Sequence, residues 1–146
     1  MLHIGASQEN YDKAIEERRK NLFDKAVAWE RGIPSESYSK LPELFDEFVS
    51  VFPTKITITS RQVERQDCLG VEMDLTTRIG EHEYSSMGVL YEAGMVECKR
   101  RMALGLLIAL RYEQGVFDER RVHDRGDYKW IHGDKIGIGV RDIKEE

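Results

Sequence analysis

Three consecutive basic residues, Lys99-Arg100-Arg101, could contact phosphate groups. A nucleic-acid backbone is bound by arrayed guanidinium and ammonium groups, and a single strand also needs flat rings on which its bases stack. Further candidates for phosphate contact are Arg61, Arg65 and Arg111, and candidate base platforms are Tyr84, Tyr91, Tyr112, Tyr128 and Trp130. These residue types predict single-stranded nucleic acid as a ligand. The alternative is that the basic residues are solvated or paired with Glu92 and Glu97.

A second group of residues could support acid–base chemistry. Glu72 and Asp74 share one face of a predicted strand, and His82 begins the next strand. Together they make a hydrolase one possible function, although strand carboxylates are more often simply solvated. Cys68 and Cys98 stand apart, without a CxxC pattern or a flanking histidine, so we expect reduced thiols and no metal site. No phosphate-cradling or nucleophile motif is present, which favours a non-enzymatic protein without a cofactor.

The composition indicates one globular domain. The chain has 146 residues, of which 40% are hydrophobic, and 22 basic against 27 acidic side chains give a net charge of −5. Residues 101–146 are neutral, so the acidic excess lies in the earlier part of the sequence. No apolar run approaches the roughly 20 residues that span a bilayer, and the first residues lack the features of a signal peptide. We therefore expect a cytoplasmic protein without a membrane partner.

An α+β fold must position these residues, and we expect it to have three parts. Residues 1–40 contain a first helix, ending near residue 31, and a linker. Residues 41–115 contain a short second helix, opening at Pro42, and a β-β-β-α core in which a three-stranded antiparallel sheet packs on a long helix. Residues 116–146 contain an exposed turn or short helix and a C-terminal β-hairpin.

Two hairpins are predicted with a definite register. A two-residue turn at Gly80-Glu81 places Ile79 opposite His82, Thr77 opposite Tyr84 and Arg78 opposite Glu83, the last as a cross-strand ion pair. A similar turn at Gly133-Asp134 connects strands over residues 127–132 and 135–142. It places Trp130 across from Gly137 and Tyr128 across from Gly139, where an aromatic ring can cover the bare backbone.

The long helix, expected from about residue 94 to 114, contains no polar side chain over residues 102–110. A helix that is apolar on all sides must be buried, and a three-stranded sheet covers only one side of it. The other side must be covered by the N-terminal helices or by another subunit. We therefore predict a homo-oligomer that associates through residues 102–110.

Over residues 40–122 the sequence resembles the single-strand annealing family of recombination mediators, which has eukaryotic, mitochondrial and phage members. The resemblance lies in a basic residue and short helix (Lys40 onward), in the hairpin IGEHEYSSMGVLYEAG, and in the helix ECKRRMALGLLIALRYEQG. Double-stranded RNA-binding domains share the order of elements, but the lysine-rich start of their second helix is absent here. The annealing family is thus the better match.

The resemblance implies that single-stranded DNA lies in a groove beside the β-β-β-α core and that subunits assemble as rings or filaments. It also implies that complementary strands anneal without a nucleotide cofactor. Lys40, Arg111 and the cluster beginning at Lys99 match basic positions of the family, whereas Leu107 and Ile108 occupy positions that are often basic there. Annealing of single-stranded DNA is therefore our first hypothesis. The second is a non-enzymatic oligomer that captures a partner protein or a small charged ligand.

Overall fold

The structure is a computed structural model that describes residues 4–63, 68–92 and 94–143. Across these residues the chain forms four α-helices, one 3₁₀ turn and seven strands. The helices are α1 (Ile4–Ala28), α2 (Ser35–Tyr38), α3 (Leu41–Val51) and α4 (Met95–Glu113), and the 3₁₀ turn is Glu119–Arg121. The strands are β1 (Thr54–Val63), β2 (Cys68–Ile79), β3 (His82–Ser85), β4 (Leu90–Glu92), β5 (Val122–Arg125), β6 (Tyr128–His132) and β7 (Gly137–Asp142).

All the strands belong to one antiparallel sheet. Six of them lie in the order β1-β2-β3-β7-β6-β5, and β4 pairs with β2 beyond the end of β3. The predicted α+β class is confirmed, but the sheet is larger than the three strands predicted. Strand β7 pairs with β3, so the C-terminal strands extend the central sheet.

The first predicted hairpin has the expected register. Ile79 lies opposite His82 and Thr77 opposite Tyr84. Gly80 has a φ of 60°, a conformation that glycine adopts without strain and that the first position of a II′ turn requires. The hydrophobic alternation of β2 and the chemistry of this turn therefore agree on one register.

The ion pair predicted across this hairpin is replaced by another. Arg78 lies opposite Glu83 as expected, but Glu83 forms its ion pair with Arg141 of β7, at 2.9 Å. Strand β7 occupies the free edge of β3 and places Arg141 directly opposite Glu83. The register predicted from the sequence did not include a strand at this edge of β3, so Arg141 was not considered as a partner of Glu83.

The register predicted for the C-terminal hairpin is wrong by two residues. Trp130 lies opposite Gly139, and His132 lies opposite Gly137. The connection has four residues instead of two, because Gly133 N–H donates a hydrogen bond to the Ile136 carbonyl at 2.7 Å and closes a longer turn. The segment expected as an exposed turn or short helix contains the 3₁₀ turn and then β5, which pairs with β6.

The two faces of the sheet differ in what covers them. Helix α4 packs against β2, β4 and β7, and α1 and α3 pack against α4. We call the face that meets α4 the inner face; it carries Leu75, Ile79, Tyr84, Ile131 and Val140, all buried. Because successive side chains of a strand point to opposite sides, the alternate residues lie on the other face, which we call the open face.

The apolar stretch of α4 is covered within the single chain. Leu22 of α1 and Phe48 of α3 are buried against Leu107 of α4, and every residue from 102 to 110 is buried or partly buried. The N-terminal helices therefore supply cover for this stretch, which was one of the two possibilities, and a homo-oligomer through residues 102–110 stays a prediction. Among the helices in the described ranges, none is long and apolar enough to cross a membrane.

Candidate nucleic-acid interface

The basic cluster at the start of α4 is held by local partners. Lys99 Nζ lies 2.8 Å from Asp46 Oδ1 of α3. Arg100 forms an ion pair with Glu97, and its guanidinium lies 5.5 Å from the centre of the Tyr38 ring. The pairing with Glu97 that sequence analysis raised as an alternative is therefore confirmed for Arg100.

The other predicted phosphate contacts lie on several elements of the fold. Arg101 Nη2 donates to the Lys135 carbonyl at 3.1 Å, and Lys40 is exposed ahead of α3. Arg111 is half-buried and donates to the Ala26 carbonyl at 3.2 Å; burial lowers the pKa of its guanidinium. The predicted sites also include the Arg61 side chain and all of Arg65, which lie outside the described residues.

Tyr84 cannot serve as a base platform, which corrects the prediction. It lies on the inner face with 0% of its surface exposed, and its hydroxyl donates to Glu113 Oε2 at 2.6 Å. Burial raises the pKa of Tyr84, and the hydrogen bond to the Glu113 carboxylate raises it further. The tyrosine therefore stays neutral and fixes the end of α4 to β3. Tyr91, another predicted platform, has a side chain outside the described part of the chain.

The three residues considered for a hydrolase are separated by the sheet. Glu72 and Asp74 lie on the open face, where Asp74 accepts a hydrogen bond from the Ser86 hydroxyl at 2.7 Å. His82 lies on the inner face, with Nδ1 2.9 Å from Glu113 Oε2. The described residues contain no group of histidine, cysteine and carboxylate side chains that could hold a metal ion. The grouping that suggested a hydrolase is therefore not formed.

Aromatic and arginine side chains meet on the open face at the C-terminal strands. The Arg141 guanidinium lies 4.6 Å from the centre of the Tyr128 ring, and that of Arg125 lies 4.9 Å from the centre of the Trp130 ring. Both distances fall within the range of cation–π interactions. Each of these two aromatic rings on β6 thus forms a cation–π contact with an arginine of a neighbouring strand. We call these four residues the aromatic–arginine surface.

Histidine rings extend this surface along β5 and β6. His123 lies opposite Trp130, and the ring centres of His123 and His132 are 4.9 Å apart. The ring centres of Trp130 and His132 are 6.1 Å apart. Both histidines are exposed, so the aromatic–arginine surface continues into a row of accessible planar groups.

Glycines in β7 bring the backbone close to this surface. A Cβ atom at Gly137 would contact the Trp130 ring, and one at Gly139 would contact Tyr128 and Met87. The predicted covering of both glycines by aromatic rings is confirmed by contact, although the rings reach them diagonally. The glycines therefore leave room for the rings close to the backbone of β7.

Sequence reasoning identified part of this surface. Tyr128 and Trp130 were candidate base platforms, whereas Arg125, Arg141 and the histidines were missed as site residues. Strand β5 was not expected, so Arg125 had no predicted position beside an aromatic ring. The available signal was Gly126-Asp127, a two-residue turn between alternating segments; Gly126 indeed has a φ of 66°.

No protein-family model, curated protein or solved structure matches this chain. The resemblance to the annealing family therefore stays a prediction that depends on the residues themselves.

Proposed function

We propose that this protein binds single-stranded DNA on the open face of its sheet. The observation that carries the proposal is the aromatic–arginine surface, in which two rings on β6 each carry a guanidinium from an adjacent strand. Bases stack on aromatic rings and on guanidinium planes, and arginines also pair with phosphates. This one surface supplies both of the interactions that a single strand needs.

The spacing of the rings suits an extended strand. Tyr128 and Trp130 are two residues apart on β6, which places their Cα atoms roughly 6.8 Å apart along the strand. That step is about twice the 3.4 Å rise of stacked duplex bases. A strand bound here is held extended, with its bases accessible for pairing. Annealing of a complementary strand, without nucleotide hydrolysis, is the activity that we propose to follow from this.

This site differs from the one expected from the sequence. The basic cluster that begins at Lys99 is engaged by Asp46, Glu97 and the Lys135 carbonyl. Tyr84 is buried. We therefore propose the C-terminal strands, and not α4, as the surface that binds the strand. Assembly into an oligomer stays part of the hypothesis that follows from the family resemblance.

Fluorescence anisotropy with a labelled oligothymidine of about 16 nucleotides tests the site. Trp130→Leu and Tyr128→Leu should each weaken binding roughly 5- to 150-fold, because stacking contributes about 1–3 kcal/mol per base. Tyr11→Leu is the matched control, since Tyr11 is 62% exposed on α1 and away from the sheet. This variant should bind as the wild type does.

A second measurement uses the tryptophans themselves. In a Trp29→Phe background, Trp130 is the single tryptophan, and oligothymidine should quench its fluorescence with the affinity measured by anisotropy. Absence of binding at low salt contradicts the proposed function. Binding that is lost in a Lys99→Gln variant but unchanged in the two sheet variants contradicts the proposed site. A closed oligomer without any nucleic-acid binding would favour the second hypothesis, a protein that captures another ligand.

A further inference from the structure

A cavity lies beside α4, and its lining reaches His132 at the end of the histidine row on β6. It has a volume of about 590 Å³. Its walls come from the segment that follows α1, from one side of α4, and from residues 116–121 and 131–136. Cavities of about 300–1,000 Å³ are typical of small-molecule sites.

The walls combine an apolar floor with aromatic sides. Leu104, Leu107 and Ile108 of α4 form part of the floor. Tyr38 and Phe117 line the cavity and are 42% and 41% exposed, so neither ring is fully covered by the protein itself. Large aromatic rings left open in a concave site are suited to a planar or apolar ligand.

A partly buried cation lies in the same wall. The guanidinium of Arg111 donates to the Ala26 carbonyl at 3.2 Å, and no carboxylate of the described residues lies within ion-pair distance of it. Burial lowers the pKa of Arg111, while the nearby carboxylates of Glu30 and Asp134 act in the opposite direction. A partly desolvated cation that lines a cavity favours an anion as its partner.

The charges around the opening also favour an anion. Two of the carboxylates that line the cavity are already neutralised, Asp118 by Arg120 at 3.0 Å and Asp134 by Arg121 at 2.9 Å. The other charged side chains that line the cavity are Arg31, Arg111, Lys135 and Glu30. Cations are therefore in excess.

We propose that this cavity binds a small organic anion, with its planar or apolar body between the aromatic walls and its anionic group against Arg111. The chemistry of the walls specifies a carboxylate, sulfonate or phosphate attached to such a body. The site uses none of the four residues that define the aromatic–arginine surface, but it shares His132 with the histidine extension of that surface. Binding of an anion here does not depend on the proposed binding of single-stranded DNA.

Two fluorescent probes that have the same aromatic framework, one with an anionic group and one without, test the requirement for an anion. 1-Anilinonaphthalene-8-sulfonate carries a sulfonate, and N-phenyl-1-naphthylamine is its uncharged counterpart. The wild-type protein should bind the sulfonate saturably with one site per chain. Arg111→Met should weaken this binding about tenfold or more, because a hydrogen bond to a charged group contributes about 1.5–3 kcal/mol. Binding of the uncharged probe should be weak and unchanged in the variant.

A variant of an exposed residue at the edge of the cavity provides a second test if Arg111→Met does not fold. Lys135 is exposed, so Lys135→Glu should leave the fold intact and weaken sulfonate binding about two- to fivefold. Lys13→Glu on α1 changes the net charge equally at a distance and should have no effect. Equal affinity for the two probes, or an equal loss in Lys13→Glu and Lys135→Glu, overturns the proposal. So does the absence of saturable binding.

Titration with AMP and adenosine as competitors then shows whether a nucleotide is the preferred anion. Displacement by AMP alone supports the requirement for an anion, whereas equal displacement by both compounds overturns it.

Discussion

The two faces of the sheet use the same residue types in opposite ways. On the inner face Tyr84 is completely buried, and its hydroxyl is fixed by Glu113. On the open face Tyr128 is only partly buried, and its ring is in cation–π contact with the guanidinium of Arg141. One tyrosine holds the end of α4 to the sheet, and the other presents a planar surface. A tyrosine therefore indicates function only when the face on which it lies is known.

Substitutions at adjacent positions of β2 should show this difference most strongly. Leu75 is 1% exposed on the inner face, whereas Thr76 follows it on the open face. We expect Leu75→Ala to lower the free energy of unfolding by about 2–5 kcal/mol, because it leaves a cavity against α4. Thr76→Ala should change it by about 0.5 kcal/mol or less. Urea denaturation measures both, and a comparable loss for the two variants would show that the faces do not differ in burial.

Removing one hydroxyl from the inner face should have the next largest effect. Tyr84→Phe leaves the Glu113 carboxylate without one of its donors, so we expect a loss of about 1–3 kcal/mol in the free energy of unfolding. Binding of oligothymidine should be unchanged, because Tyr84 lies on the face away from the proposed site. A weaker affinity for DNA at unchanged stability would instead give Tyr84 the role that sequence analysis first assigned to it.

The stability difference between the wild type and Tyr84→Phe should also depend on pH. Because burial raises the pKa of Tyr84 in the folded protein, the stability that this hydroxyl contributes is fully present below the unfolded tyrosine pKa of about 10. Above about pH 10 the unfolded chain ionises and that contribution falls. The difference in unfolding free energy between wild type and Tyr84→Phe should therefore narrow as the pH rises above about 10. A constant difference across this range would contradict the raised pKa.

The central part of the fold was predictable because its signals are local. Strand β2 alternates apolar and polar residues over its length, and Gly80 fixes the turn that follows it. Together they determined the β2–β3 register, which the structure confirms. The same register already placed Tyr84 on the face of Thr77 and Ile79. Its choice as a base platform was thus inconsistent with the predicted pairing and could have been rejected from the sequence.

The C-terminal strands were less predictable because their local signals are weak and one of their pairings is not local. The turn from Gly133 to Ile136 is longer than the two residues assumed, and this alone shifts the register by two. Strand β5 is short and highly charged, so its apolar alternation is too weak to identify it. The pairing of β7 with β3 joins segments more than fifty residues apart in sequence. Arg141 could therefore not be placed beside Tyr128 in advance, and for Arg125 the local signal was limited to the Gly126-Asp127 turn.

Removing a cation from the open face should reduce the salt dependence of binding. Arg125 is exposed and lies beside Trp130. We expect Arg125→Gln to lower the slope of log Kd against log salt by about 0.7, the value for one phosphate contact on a single strand. Anisotropy titrations between about 50 and 200 mM salt measure this slope. Lys13→Gln, which removes one charge from α1, should leave it unchanged; an equal decrease would indicate that only net charge matters.

Removing an anion from the open face should raise the affinity for DNA slightly, which is the smallest of the predicted effects. Glu83 holds Arg141 by an ion pair at 2.9 Å, and Arg141 also covers Tyr128. Glu83→Gln keeps a hydrogen-bond acceptor but removes the negative charge, so Arg141 becomes more available to phosphate. We expect the affinity for oligothymidine to rise about twofold, and the salt slope to become steeper by at most about 0.7. A lower affinity would mean that the Glu83 charge is needed to orient Arg141 on the ring, and that the arginine acts through stacking and not through phosphate contact.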